Sequence, residues 1–207
     1  MVNRDLKNIA YDLIKKKIIN CEYKPGSLIN ETQLAKELDF SRTPIRQALN
    51  GIEQEGFIET LPKKGIYVKP VTLAMVRQVF QTRILMEPLT LKMAAPFLPK
   101  DKLQYFKDGF LGKREPVDFS FDTEMHLFFI ENCGNSYIIK MMKKVFDENT
   151  RIIISSGQNK TKIHDAQSEH LEILDLLLEE KFEIAQEKMH SHIEACKRAA
   201  LDYFYQM

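Results

Sequence analysis

The stretch from Asn30 to Val68 limits what this chain can fold into more than any other. Glu31-Thr32-Gln33-Leu34-Ala35-Lys36-Glu37-Leu38 carries a short helical pattern that Asn30 can cap, and Asp39-Phe40 makes a turn after it. Ser41-Arg42-Thr43-Pro44-Ile45-Arg46 then opens a second helix, with Ile45, Ala48, Leu49 and Ile52 at i, i+3, i+4 and i+7 on one face that should pack inward. Either Ser41 or Thr43 can be its N-cap. In both cases Pro44 falls in the first turn, where a missing N–H costs no intrahelical bond. From Gly56 to Val68 two short strands are expected around the basic turn Pro62-Lys63-Lys64-Gly65. Upstream, Leu6, Ile9, Leu13, Ile14 and Ile18 give an apolar stripe to a first helix over about 3–20, and Pro25-Gly26 marks a turn.

Helix, turn, helix and basic hairpin, in that order, is the pattern of a winged helix-turn-helix, which puts the start of its second helix into the DNA major groove. Arg42, Arg46 and Asn50 follow one another at i, i+4 and i+8 on a face away from the apolar one. One arginine can hydrogen-bond a guanine edge while the other, or the Ser/Thr hydroxyls, holds phosphate. Lys63-Lys64-Gly65 at the hairpin tip suits a phosphate or minor-groove contact. Periodicity alone leaves open a small helical subdomain with solvated Arg and Lys. The net charge of +1 hides a split: residues 1–70 hold 12 Lys/Arg against 9 Asp/Glu, and the rest hold 18 against 20.

Hydrophobic residues at 44% and charged residues at 29% describe a globular chain, not a disordered one. Cys21, Cys133 and Cys196 are odd in number and scattered, which argues against a disulfide framework or a cysteine zinc site and for a reducing cytoplasm. No segment reaches the ~18 consecutive apolar residues of a membrane span.

After Lys69-Pro70 the pattern changes, so residues 1–70 and 71–207 are read as separate domains. Helical segments are expected over about 72–95, 99–109, 116–132, 136–156, 161–180 and 182–205, an all-α bundle. The fold class is thus mainly α, a winged helix-turn-helix followed by a helical bundle. Asp122 and His126 are i, i+4 on one helix, His170 opens another, and His192 lies near the end of the last. Three imidazoles and a carboxylate from three helices suit Zn²⁺ or a similar first-row divalent ion. Spacing does not show that these helices meet, and surface or hydrogen-bonded core histidines stay open as the alternative. His164 and His190 are alternative ligands. His190 points about 160° away from His192 around the helix, so only one of that pair can face the centre. The methionines Met86, Met93, Met125, Met141, Met142 and Met189 read as core filler.

The run Leu28, Glu31, Leu34-Ala35, Leu38, Ser41-Arg-Thr-Pro-Ile-Arg46, Ala48-Leu49, Glu55-Gly56 and Lys64-Gly65-Ile-Tyr-Val68 resembles the winged helix of GntR-type transcriptional regulators. The resemblance implies DNA contacts at Thr32, Ser41, Arg42, Thr43, Arg46, Lys64 and Gly65, although relatives often carry arginine at the position of Thr32. The segments Arg83-Ile-Leu-Met-Glu87, Asp122-Thr-Glu-Met-His126, Asn132-Cys-Gly-Asn135, Glu169-His170 and Met189-His-Ser-His192-Ile are similar to the all-helical FCD ligand-binding domain of the FadR-like branch. That similarity implies a divalent metal, Zn with Ni or Mn as alternatives, on Asp122, His126, His170 and His192, with a small carboxylate effector at its open positions. Met125 in place of a frequent Phe, and Gln81 in place of an acidic residue, depart from the pattern. Arg83 is the candidate partner of the effector carboxylate, its alternative being an i, i+4 salt bridge to Glu87. Asn135 either faces the pocket or starts a helix in the αL conformation, and Arg151 is a weaker candidate. The implied protein is a homodimeric repressor of operator DNA, not an enzyme. A metal-dependent enzyme fused to a winged helix, its metal activating water with Glu124 or Glu169 as base, and a regulator with a purely structural metal are the rival readings.

Overall fold

The computed structural model describes residues 2–113, 119–157 and 166–205, with side chains from residue 6 onward. Among these residues the order is α1 (Val2–Ile19), β1 (Leu28–Ile29), α2 (Glu31–Glu37), α3 (Arg42–Gln54), β2 (Ile58–Leu61), β3 (Gly65–Val68), α4 (Leu73–Ala94), a short 3₁₀ turn (Ala95–Phe97), α5 (Lys100–Phe110), α6 (Phe119–Glu131), α7 (Ser136–Ser155), α8 (Ala166–Leu178) and α9 (Phe182–Tyr205). The chain divides into two compact units, 1–72 and 73–207.

In the N-terminal unit α3 carries the expected face: Ile45, Ala48 and Ile52 have no exposed surface and Leu49 has 5%. They meet Leu34 and Ala35 of α2, Phe57 and Ile58 at the start of β2, and Ile66 and Val68 of β3. The stripe expected on α1 holds at Ile14 and Ile18 and is turned at its other members. Ala10, Ile14 and Ile18 are fully buried, whereas Leu6, Ile9 and Leu13 are 37–47% exposed. The small Ala10 takes the i−4 place before Ile14, letting α1 lie close, and periodicity read from the larger residues chose the neighbouring face. Asn30 caps α2 as expected, its Oδ1 accepting from the N–H groups of Thr32 (2.8 Å) and Gln33 (3.2 Å).

The sheet has the order β1-β3-β2, all antiparallel, with Ile29 opposite Ile66 and Leu61 opposite Gly65. Strand β1 has only two residues and gave no pattern to read. At the hairpin tip Lys64 donates its N–H to the Leu61 carbonyl at 3.1 Å. Pro62 at the second position and a positive φ (63°) at Lys63 make this a type II turn. Gly65 follows with φ 111°, and a Cβ there would stand 2.8 Å from the Ile29 carbonyl oxygen. Glycine at 65 is therefore what lets β1 close onto β3.

In the C-terminal unit all six expected helices are present; residues 114–118 and 158–165, where two of them were expected to begin, lie outside the described residues. Helix α4 packs along α9 and touches α6 and α7; α8 packs on α9 and α5. With 22 residues, α4 is about 33 Å long. Pro88 interrupts its ladder, because it offers no N–H to the Ile84 carbonyl one turn back. Rings of Phe106, Phe110, Phe121 and Phe128 fill the space between α5 and α6 at centroid distances of 5.2–5.4 Å. Asn135 is not in the αL conformation. At φ −120° and ψ 102° it is an extended N-cap for α7, its Oδ1 accepting from Tyr137 and Ile138.

Gly65→Ala is expected to destabilise the N-terminal unit by roughly 1–3 kcal/mol, since it adds a Cβ at a positive φ against fixed backbone. Chemical-denaturant midpoints of the full chain and the variant measure this. An unchanged midpoint would contradict the close approach of β1 to β3.

Candidate DNA-reading face and candidate metal centre

Helix α3 buries one side in its own unit and presents the other to solvent. Ser41, Arg42, Thr43, Arg46 and Asn50 are all exposed, as are Thr32 at the start of α2 and Lys63 and Lys64 at the hairpin tip. Ser41, not Thr43, is the N-cap by backbone conformation (φ −67°, ψ 162°), but its side chain makes no capping hydrogen bond. The first N–H groups of α3 are thus left without a side-chain acceptor from the cap, which is how a helix start presents itself to an anion. Arg46 is not a bare cation. Its Nε donates to Glu31 Oε1 at 2.6 Å across the turn between α2 and α3. The Gly65 backbone answers to Ile29, so its place in the fold has a reason of its own.

In the second unit the structure brings together three of the five histidines. His126 on α6, His170 on α8 and His192 on α9 are each 1–2% exposed. Their Nε2 atoms converge: His126 to His170 is 3.3 Å and His170 to His192 is 3.0 Å. Asp122, one turn before His126, puts Oδ1 at 3.0 Å from His170 Nε2 and 3.8 Å from His126 Nε2. His190 shows no such approach, and His164 lies outside the described residues. Local helix geometry explains the set: i, i+4 spacing turns Asp122 and His126 to one side of α6, and His192 shares its face of α9 with Met189 and Ile193, which are buried.

The outward nitrogens are held by acids. His126 Nδ1 is 2.5 Å from Glu87 Oε2, and His192 Nδ1 is 2.7 Å from Glu169 Oε2. An ionised carboxylate only accepts, so each of these two Nδ1 atoms carries a proton, and Nε2 is the nitrogen left to face the centre. Burial, then the neighbouring His170 and His126, hold the His192 pKa well below its ordinary value. Burial acts to raise the Asp122 pKa, but His170 and His126 outweigh it and keep the carboxyl well below the usual range. His170 Nδ1 is buried without a hydrogen-bond partner among the described residues.

Imidazole nitrogens that converge beside an ionised carboxylate are a donor set for a cation. Two nitrogens bound to one ion at about 2.0–2.1 Å stand ~2.9–3.4 Å apart, and the 3.0 and 3.3 Å separations fit that range. Acid partners on Nδ1 are the usual outer support of ligating histidines. The residues present therefore fit a divalent ion.

Arg83 is 3% exposed, and its salt-bridge alternative is realised: Nε donates to Glu87 Oε1 at 2.5 Å. Nη1 donates to Asn149 Oδ1 at 2.8 Å, and the guanidinium lies 5.3 and 5.0 Å from the ring centres of Phe80 and Phe146. Burial acts to raise the Glu87 carboxyl pKa, but Arg83 and then His126 outweigh it and bring it down to about 2. Asn135 is committed through Oδ1 to its capping role. Arg151 is buried and pairs with Glu148 at 2.7 Å. Sequence reasoning missed Glu87 as the orienter of His126, Glu169 as that of His192, and Asn149 altogether. The adjacency of Glu169 to His170 was a signal; Asn149 offered none.

Comparison with known proteins agrees with both halves. Residues 6–68 match the model for bacterial regulatory proteins of the gntR family, and residues 78–195 match the FCD domain. The chain is 24% identical over 182 residues to the Nta operon transcriptional regulator of Aminobacter aminovorans, covering 85% of each. In fold it is similar to a GntR transcriptional regulator from Rhodococcus sp. RHA1, with a TM-score of 0.80 at 15% identity over 95% of this chain and 97% of that one. It is also similar to the metal-free FCD domain of TM0439, with a TM-score of 0.52 at 23% identity over 65% of this chain and 96% of that one. Among the described residues no helix is long and apolar enough to cross a membrane. With a gntR-type winged helix ahead of an FCD domain that alone spans more than half its length, the chain belongs to the GntR family of bacterial transcriptional regulators.

Proposed function

We propose that this regulator binds a palindromic operator as a homodimer and senses a small organic acid at a divalent metal ion in its C-terminal unit. The observation that carries the reading is the meeting of three inward Nε2 atoms and the Asp122 carboxylate in the second unit of a chain whose first unit is a winged helix. Asp122, His126, His170 and His192 would hold the ion, zinc being the best match to an N/O set of this kind, with Ni or Mn as alternatives. A bound ion would offer Lewis acidity and charge to an incoming carboxylate. Arg83 would be the second anchor for that carboxylate, reaching it while its Nε and Nη1 serve Glu87 and Asn149. Asn135 is a weaker anchor because its Oδ1 already serves α7. Sensing is favoured over hydrolysis by the two acids named as bases: Glu124 is exposed, and Glu169 supports His192 Nδ1.

On the DNA side Arg42 and Arg46 read base edges, Ser41, Thr43 and Thr32 hold phosphate, and Lys64 with Gly65 forms the wing contact. One head makes too few contacts for operator selectivity, so two are needed. The C-terminal unit offers a surface for pairing. Gln78, Thr82, Leu85 and Leu89 run along α4 at helical spacing, and Tyr137, Met141, Lys144 and Glu148 run along α7. Leu85 is 65% exposed and Tyr137 86%. A second copy placed there would cover both stripes. In this scheme the unliganded dimer acts as a repressor, and effector binding changes its grip on DNA.

Three outcomes are expected. Arg42→Ala should cost about 1–3 kcal/mol of operator discrimination, whereas Lys64→Ala should weaken all sequences alike and flatten the salt dependence. Fluorescence anisotropy with operator and scrambled duplexes separates the two, and equal loss on both duplexes for Arg42→Ala would remove it from base reading. His126→Ala and His170→Ala should each lose metal and melt lower, while His190→Ala keeps the full stoichiometry. Metal analysis beside thermal melts decides this, and full occupancy in the first two variants would refute the site. Leu85→Glu should shift the sedimentation coefficient of the full chain from dimer to monomer; a variant that stays dimeric would move the interface elsewhere.

A further inference from the structure

A fifth side chain stands beside His192, at the edge of the three nitrogen atoms that lie within 4.8 Å of one another. Cys196 lies one turn after His192 on α9, and i, i+4 spacing puts both on one face. Its Sγ is 3.6 Å from His192 Nε2 and 4.0 Å from Nδ1, so it stands nearer the nitrogen that points inward than the one held by Glu169. Burial pushes the Cys196 thiol pKa up, Arg83 lowers it, and Asp122, Glu87 and Glu169 raise it further, so the sulfur keeps its proton until an ion displaces it. An ion bound to an imidazole nitrogen at about 2.0–2.1 Å and to a thiolate at about 2.3 Å holds the two atoms ~3.1–3.6 Å apart. The 3.6 Å separation falls at the upper end of that range, where the angle at the ion is close to tetrahedral. The other cysteines are elsewhere: Cys21 belongs to the N-terminal unit, and Cys133 sits 4.0 Å from the Asn135 carbonyl oxygen.

We propose that Cys196 is a sulfur ligand to the ion held by His126, His170 and His192. The inference rests on the metal reading above and adds a soft donor to an otherwise nitrogen and oxygen set. On binding, the S–H bond breaks, the sulfur forms its bond to the ion, and the proton leaves to solvent; nothing is oxidised or reduced. A thiolate shifts preference toward zinc and cobalt and away from manganese, whose hard ion gains little from sulfur. It also occupies a coordination position, so a carboxylate effector would meet an ion with fewer places left for it.

The test is optical. Full-length protein stripped by chelator is titrated with Co²⁺ alone under anaerobic conditions. The expected spectrum has visible d–d bands and a near-ultraviolet thiolate-to-cobalt charge-transfer band. Cys196→Ser should still bind Co²⁺ and show d–d bands but lose the charge-transfer band, while Cys21→Ser and Cys133→Ser keep it. Bound cobalt without that band in the wild-type protein, or its survival in Cys196→Ser, overturns the sulfur ligand and leaves the histidine site standing. Failure to bind cobalt at all overturns both. Should Cys196→Ser fail to fold, alkylation of the wild-type chain with iodoacetamide decides: Zn²⁺ should protect Cys196, mapped by peptide mass, and equal labelling with and without Zn²⁺ overturns the proposal.

Discussion

Glu87 is the interaction on which the rest of the C-terminal unit depends. It brings a negative charge to a place 2% exposed, and such a charge is tolerated only when paired and hydrogen-bonded. Each oxygen has its own partner, Arg83 Nε for one and His126 Nδ1 for the other. Removing either would leave the remainder uncompensated, at a cost of about 3–5 kcal/mol. From this carboxylate a continuous polar chain crosses the bundle. It runs from Asn149 on α7 through Arg83 and Glu87 on α4, His126 on α6 and His170 on α8 to His192 on α9, and ends on Glu169 of α8. Five helices are registered against one another by directed bonds, which apolar packing alone does not supply.

Pro88 follows Glu87 directly and offers no N–H to the α4 ladder, so one backbone bond is missing beside the residue that carries the buried charge. The aromatic rings of Phe106, Phe110 and Phe121 close the other side, with Phe110 4.9 Å from the ring centre of His170. They exclude water from the cluster and make each of its electrostatic contacts count for more.

Much of this was legible in the residues. The inward face of α3, the Asn30 cap and the order of the helices followed from apolar spacing and cap chemistry, which act locally. The pairing of Asp122 with His126 was legible for the same reason. What was not legible depends on distance along the chain. Strand β1 exists because β3 is there to bond it, and two residues carry no period of their own. The face of α1 was misjudged because Ala10, small and weakly hydrophobic, is the residue that fits. That His170 and His192 meet His126, and that Asn149 reaches Arg83 across 66 positions, are facts of packing between helices. Spacing proposed the histidine set and family resemblance supported it; neither gave the roles of the acids behind it.

The ion pair between Arg46 and Glu31 bears on the proposed role of Arg46 at a base edge. Arg46 is 65% exposed by side chain, so solvent screens the pair and its strength is modest. Modest strength is enough to set a threshold. Any duplex that draws Arg46 away must first outcompete a carboxylate already at 2.6 Å. A phosphate at random offers roughly the same charge as that carboxylate and gains little by the exchange. A guanine edge in register offers two acceptors at once, a fork that Nε and one glutamate oxygen do not match. Were Arg46 to read a base edge as proposed, Glu31 would act as an internal decoy, lowering idle attraction to the polyanion more than attachment at the right sequence.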